Sequence, residues 1–163
     1  MNHRLWQLRI TLSLIISFFI TTTVQAENTR TVVVYDLEAR GIEPYLASSF
    51  TDLLCVELNH IQGIKTRCKS DIVKLMEHTA ERNKLGCNDE TCLLELSTAL
   101  GADHLLHGSI TKIGNTYALI VSRINVNKRV SDQHFKDYAK TEIAQLLEVV
   151  PKAARWITRD LLT

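Results

Sequence analysis

The chain has 163 residues, 19 basic against 18 acidic, and 45% of its residues are hydrophobic. A balance this even lacks the concentrated basic face of a nucleic-acid binder, and the length suits one domain with its own core. No internal repeat, low-complexity tract or long charge run interrupts it.

The N-terminus reads as an export signal. Arg4 and Arg9 give a positive start, and an apolar run from Ile10 to Ile20 follows, softened only by Thr11, Ser13 and Ser17. That run falls short of the roughly 20 residues a membrane-spanning helix needs. Val24-Gln25-Ala26 then supplies the small-x-small pattern of a cleavage site. The rival reading of the same residues is an uncleaved N-terminal anchor. No cysteine follows the small residues, so no lipidation site is expected there. Cleavage after Ala26 leaves residues 27–163 as a single domain with 17 basic and 18 acidic residues, a net charge of −1.

Thr31-Val-Val-Val-Tyr35 is a β-branched run with the look of a buried strand. Residues 36–44 contain Gly41 and Pro44 and read as a loop. Leu46, Phe50, Leu53, Leu54 and Leu58 recur at helical spacing over 45–61, and Gly63 is a stop signal. Residues 64–68 form a short second strand. Ser70 or Asp71 suits the cap of a second helix whose stripe is Ile72, Leu75, Met76 and Ala80. Gly86 ends it, and a third helix runs through Cys92, Leu93, Leu96 and Leu100 to Gly101.

Residues 104–113 and 117–126 are two strands joined through Gly114-Asn115, a tight-hairpin signature because both residues tolerate positive φ. A turn near Asn127-Lys128 leads to a more polar strand from Val130 to about Tyr138. Thr141 suits the cap of a last helix carrying Ile143, Leu147, Val150, Ala154, Ile157 and Leu161. Pro151 inside that stripe predicts a kink or a break. The fold class is therefore α/β, with a mixed sheet of about five strands, flanking helices and the order β-α-β-α-α-β-β-β-α.

In the hairpin, Leu106, Gly108 and Ile110 share one face, as do Ala118, Ile120, Ile124 and Val126, and these faces are expected against helices. Leu105, His107 and Thr111 are expected on the opposite face with Tyr117, Leu119, Val121 and Arg123. That second face is too apolar to be merely solvated, so it is either covered by the third helix or used for binding.

The run GCNDETCLLELSTALGADHLLHGSITKIGNTYALIVSRINVNKRV, residues 86–130, resembles bacterial envelope proteins with a TolB N-terminal-like or CsgG-like domain. The shared pattern is a Gly-Cys-x-x-x-x-Cys loop, a helix ending in Leu-Gly-Ala-Asp, a strand ending in Gly-Ser, a Gly-Asn hairpin and a strand leading to a short turn. The opening strand from Val32 to Leu37 and the order of elements match as well. Relatives of this kind include the curli-secretion pore subunit, lipoprotein activators of penicillin-binding proteins and the TolA-contacting domain of TolB. The resemblance implies a domain that works by protein contact, with no catalytic residue to carry over. This chain lacks the lipidated cysteine, the β-propeller and the long inserted hairpins of some of these relatives, so a pore is not expected.

Four cysteines, Cys55, Cys68, Cys87 and Cys92, follow the export signal, an even number in a disulfide-permissive compartment. They allow three pairings. The local one, Cys87 with Cys92 and Cys55 with Cys68, fits the order of elements, and the chain-entropy model gives these loops roughly 2 and 3 kcal/mol. A redox pair needs two intervening residues rather than four, and a zinc site needs four ligands, for which Cys68 or His78 would have to join the loop. Cys55 could also be a free core thiol.

His104 and His107 fall on opposite faces of their strand and cannot share a metal. His60, His78 and His134 are isolated. No hydrolase elbow, metalloprotease helix motif or phosphate-binding glycine loop is present, so no catalytic residue, metal or cofactor is expected. The function expected is that of a periplasmic, non-catalytic adaptor or accessory module of the cell envelope. Its partner would be another envelope protein, with a membrane reached only through that partner or an uncleaved signal, and with a homo-oligomer as a further possibility. Tyr117, Arg123, Arg129 and Phe135 are the expected contact residues. The alternatives are a small-molecule or peptidoglycan-binding accessory domain and, less favoured, an exported hydrolase with a dispersed site.

Overall fold

The structure is a computed structural model, and it describes residues 29–69, 72 and 90–162. The expected signal and its cleavage point, the second helix apart from Ile72, His78 and Cys87 lie outside the described residues.

Within them the chain runs β1 (Arg30–Arg40), α1 (Pro44–Asn59), β2 (Ile64–Arg67), α2 (Glu90–Ala99), β3 (His104–Ile113), β4 (Thr116–Asn125), β5 (Val130–Lys140), a 3-10 turn (Ile143–Glu148) and α3 (Val150–Thr158). The five strands form one mixed sheet in the order β2-β1-β3-β4-β5. β1 is parallel to both β2 and β3, and β3, β4 and β5 form an antiparallel meander. The expected mixed α/β sheet is what the chain builds.

Each face of the sheet has its own core. On one, Val32 and Val34 of β1, Leu106 and Ile110 of β3 and Leu119 and Val121 of β4 pack under α1, the 3-10 turn and α3. On the other, Val33, Leu105 and Ile124 pack with Leu93, Leu94 and Leu96 of α2 and with Ile72.

The motif Leu100-Gly101-Ala102-Asp103 joins α2 to β3. Gly101 leaves the helix at φ 64, a left-handed conformation that glycine adopts without steric cost. Ala102 is buried, and the Asp103 carboxylate accepts the Thr31 N–H at 2.8 Å while its own N–H donates to the Thr31 carbonyl at 2.9 Å. The motif thus locks the first residues of β1 to the start of β3.

Three expectations are corrected. β1 does not end at Tyr35. After an irregularity between Val34 and Leu37 it resumes pairing with β3 as far as Arg40, and Thr51 of α1 accepts the Leu37 N–H at 3.0 Å. The hairpin faces are also paired differently. A two-residue turn places Ile113 opposite Thr116, so Leu106, Gly108 and Ile110 stand opposite Arg123, Val121 and Leu119, and Leu105, His107 and Thr111 opposite Ile124, Ser122 and Ala118. The turn length dictates that parity, since opposed residues share a face. Finally, Thr141 does not cap a helix. It has φ 74 and precedes the 3-10 turn, whose flanking residue is Glu142. The break expected at Pro151 is present: the proline lies in the first turn of α3, where its missing N–H costs nothing.

Candidate interaction surface

A groove of about 350 Å³ opens where β1 and β3 end side by side. Gly41 makes it possible. At φ 73 it turns the chain out of β1, and a Cβ there would sit 3.2 Å from the Lys112 carbonyl oxygen. The loop therefore lies close against the end of β3. Ile42, Glu43, Leu46, Lys112, Tyr117 and Ile143 line it together with Gly41. The groove lies outside the carboxyl ends of two adjacent parallel strands, the end at which open α/β sheets bind ligands. There β1 leaves through α1, and β3 through the hairpin into β4. The Lys112 ammonium lies 5.3 Å from the Tyr117 ring centroid, a cation–π distance. Tyr45 and Ile113, among the exposed large apolar side chains, neighbour the groove residues Leu46 and Lys112 in the chain.

Arg123 does not belong to a contact surface. Its side chain is 1% exposed and each nitrogen of its guanidinium donates a hydrogen bond. Nε donates to Asp132 at 2.8 Å, Nη1 to the Ile157 carbonyl at 2.6 Å, and Nη1 and Nη2 donate to the two oxygens of Asp160 at 2.7 Å each. Asp132 reaches it because β5 is irregular opposite Arg123 and Ile124, which aims the extra residue inward. Burial works against the Arg123 charge, but the bonds to Asp160 and Asp132 outweigh it and raise its pKa. The same bonds hold the Asp160 carboxyl below its usual range. His104, also buried, lies 3.8 Å from Asp132, with its Nδ1 unpartnered among the described residues. Burial first, and the Arg123 charge second, hold its imidazole below the usual value.

The other expected contact residues are not brought together. Tyr117 lines the groove, half-buried against the core. Phe135 stands opposite Val121 on the same face and is half-buried too. Arg129 is exposed in the β4–β5 turn at φ 55, at the far end of β4 from Tyr117, some 25 Å away by strand rise. Sequence reasoning missed Ile42, Leu46, Lys112 and Ile143. The turn residues Gly41, Pro44 and Gly114 mark each loop, but only the parallel pairing of β1 with β3 puts them at one end of the sheet.

The structure contains the Cys55–Cys68 disulfide, tying α1 to the residue after β2. Cys92 is disulfide-bonded as well. On the second face Ser122 Oγ lies 3.0 Å from His134 Nδ1, and Ser131 Oγ 3.3 Å from His134 Nε2. A serine hydroxyl thus lies at each ring nitrogen of this histidine. Among the described residues no three metal-binding side chains cluster, and no helix is long and apolar enough to cross a membrane.

No protein-family model matches the sequence, and no curated protein matches it. Solved structures do resemble the fold. The C-terminal domain of LpoB from Salmonella enterica is 13% identical, with a TM-score of 0.57 over 69% of this chain and 84% of that one. PelC from Paraburkholderia phytofirmans, a dodecamer, is 11% identical, with a TM-score of 0.55 over 83% of this chain and 89% of that one. TolB from Acinetobacter baumannii is 9% identical, with a TM-score of 0.50 over 82% of this chain but 28% of that one. These likenesses do not single out the TolB N-terminal or CsgG-like branch of the resemblance. What they establish is the fold: this chain shares its architecture with LpoB and PelC along most of its length.

Proposed function

We propose that this chain is a non-catalytic protein-interaction module of the bacterial cell envelope, an adaptor or accessory subunit in the periplasm whose contact surface centres on the Tyr117 groove. The carrying observation is that apolar and aromatic side chains, Ile42, Leu46, Tyr117 and Ile143, converge with Lys112 in one open groove at the carboxyl ends of β1 and β3. Buried aromatic anchors of this kind dominate interface energetics. The export-type N-terminus and the Cys55–Cys68 bond suit an oxidising compartment outside the cytosol. The likeness to LpoB and PelC along most of their domains supports an envelope role. Tyr117→Ala tests the reading: partner capture from envelope extracts drops at least tenfold while the melting temperature stays within a few degrees. Unchanged capture would remove the groove from the interface.

The groove volume favours one second reading, a small cell-wall fragment as ligand. A rise in melting temperature with such fragments, abolished by Tyr117→Ala, would establish it. The dodecamer formed by PelC supports a self-associating form of this chain, which light scattering on the purified protein checks.

A further inference from the structure

We propose that the outward face of α3 docks on an anionic phospholipid bilayer. The helix divides into two halves. Val150, Ala153, Ala154 and Ile157 are buried in the core, whereas Lys152, Arg155, Trp156 and Arg159 are exposed. The exposed four follow the spacing i, i+3, i+4, i+7, which is one stripe of a helix, and it lies opposite the buried one. None of the three cations forms an ion pair among the described residues. The adjacent acid, Asp160, is already held through both oxygens by Arg123, and Glu148 lies beyond the other end of the helix.

Trp156 sits within this basic stripe, 43% exposed. Its indole N–H donates to the His134 carbonyl at 3.2 Å, and the Arg159 guanidinium lies 3.5 Å from its ring centroid. The polar end of the ring is thus satisfied by the protein while much of the side chain stays exposed. An exposed tryptophan flanked by Lys and Arg is the kind of side-chain set that sits at a membrane–water interface. Charge holds it here, because the apolar face of α3 is already buried in the protein. The three charges spread along roughly 10 Å of helix. That spacing suits a layer of phosphate headgroups rather than one free phosphate, which needs donors that converge. Three like charges on one face of a short helix suit an extended anionic surface, where each adds to the attraction. With charge otherwise nearly balanced, attraction to an anionic surface is local to this face and would orient the domain.

This inference does not depend on the partner reading of the groove. Its test is flotation of the exported protein with phosphatidylcholine vesicles, with and without phosphatidylglycerol. Trp156 fluorescence serves as a second readout, with Trp156→Phe subtracting any signal from Trp6. The protein floats with the phosphatidylglycerol vesicles, binding weakens as salt rises, and Trp156 emission shifts to the blue. Lys152→Gln, Arg155→Gln and Arg159→Gln combined weaken binding roughly 100-fold, about fivefold for each charge, and Arg155→Gln alone gives the single step should the triple variant fail to fold. No binding, equal binding to phosphatidylcholine alone, or binding untouched by these substitutions would overturn the proposal. So would capture of acidic proteins through the same stripe without vesicle binding.

Discussion

Arg123 and Asp160, 37 positions apart, meet through two hydrogen bonds of 2.7 Å each, and the pair fixes the end of α3 onto β4. The same guanidinium takes the Ile157 carbonyl, one of the last carbonyls of α3, which have no partner within the helix.

Arg123→Met removes that clamp. It leaves Asp132 and Asp160 without their cation and the Ile157 carbonyl without its donor. Breaking one side of a buried pair costs about 3–5 kcal/mol, and the partial exposure of both carboxylates puts this case near the low end. Urea unfolding should show a loss of about 3 kcal/mol. A loss of partner binding with stability unchanged would return Arg123 to the surface reading.

Acid should destabilise the fold in two stages. The folded pKa values of His104 and Asp160 both lie below their unfolded ones, so the folded protein binds fewer protons in each window. Stability is therefore full above the unfolded values and is lost as pH falls, below about 6.5 for His104 and below about 4 for Asp160. His104→Leu should remove the upper stage and keep the lower one. Calorimetry from pH 8 to pH 3 reads both, and a melting temperature flat between pH 8 and pH 5 would contradict the His104 assignment.

The Cys55–Cys68 bond closes a loop of sequence separation 13. Replacing both cysteines with alanine should lower the unfolding free energy by about 3 kcal/mol in the chain-entropy model. Denaturant melts of that variant against the parent check it, with no reductant needed, so the second disulfide stays intact.

Gly108 is required for a different reason. Its backbone is extended, but a Cβ there would stand 2.0 Å from the Ile120 carbonyl oxygen and 3.1 Å from Leu37. Neither the strand nor the core can give way by that much. Gly108→Ala should cost more than about 3 kcal/mol or prevent folding, read by circular dichroism and urea melts.

What the sequence made legible was local. The β-branched run at Val32–Val34, the Gly114-Asn115 turn and Pro151 each carry their own backbone chemistry, and the strands, hairpin and helix break stand where those residues put them. What stayed hidden depended on register. Tyr35 and Asp36 look like a strand end because nothing in them shows that β3 will pair again with Leu37. Arg123 looks like an interface anchor because its partners lie 9 and 37 positions away. The groove needs three segments that become neighbours only when β1 pairs with β3.

The most direct test of the interaction reading is photo-crosslinking in the protein's own cells, with a photoreactive phenylalanine at position 117 and, as control, at the exposed position 56. The account predicts one dominant envelope protein joined from position 117 and not from 56. Equal products from both positions, or products from neither, would contradict it.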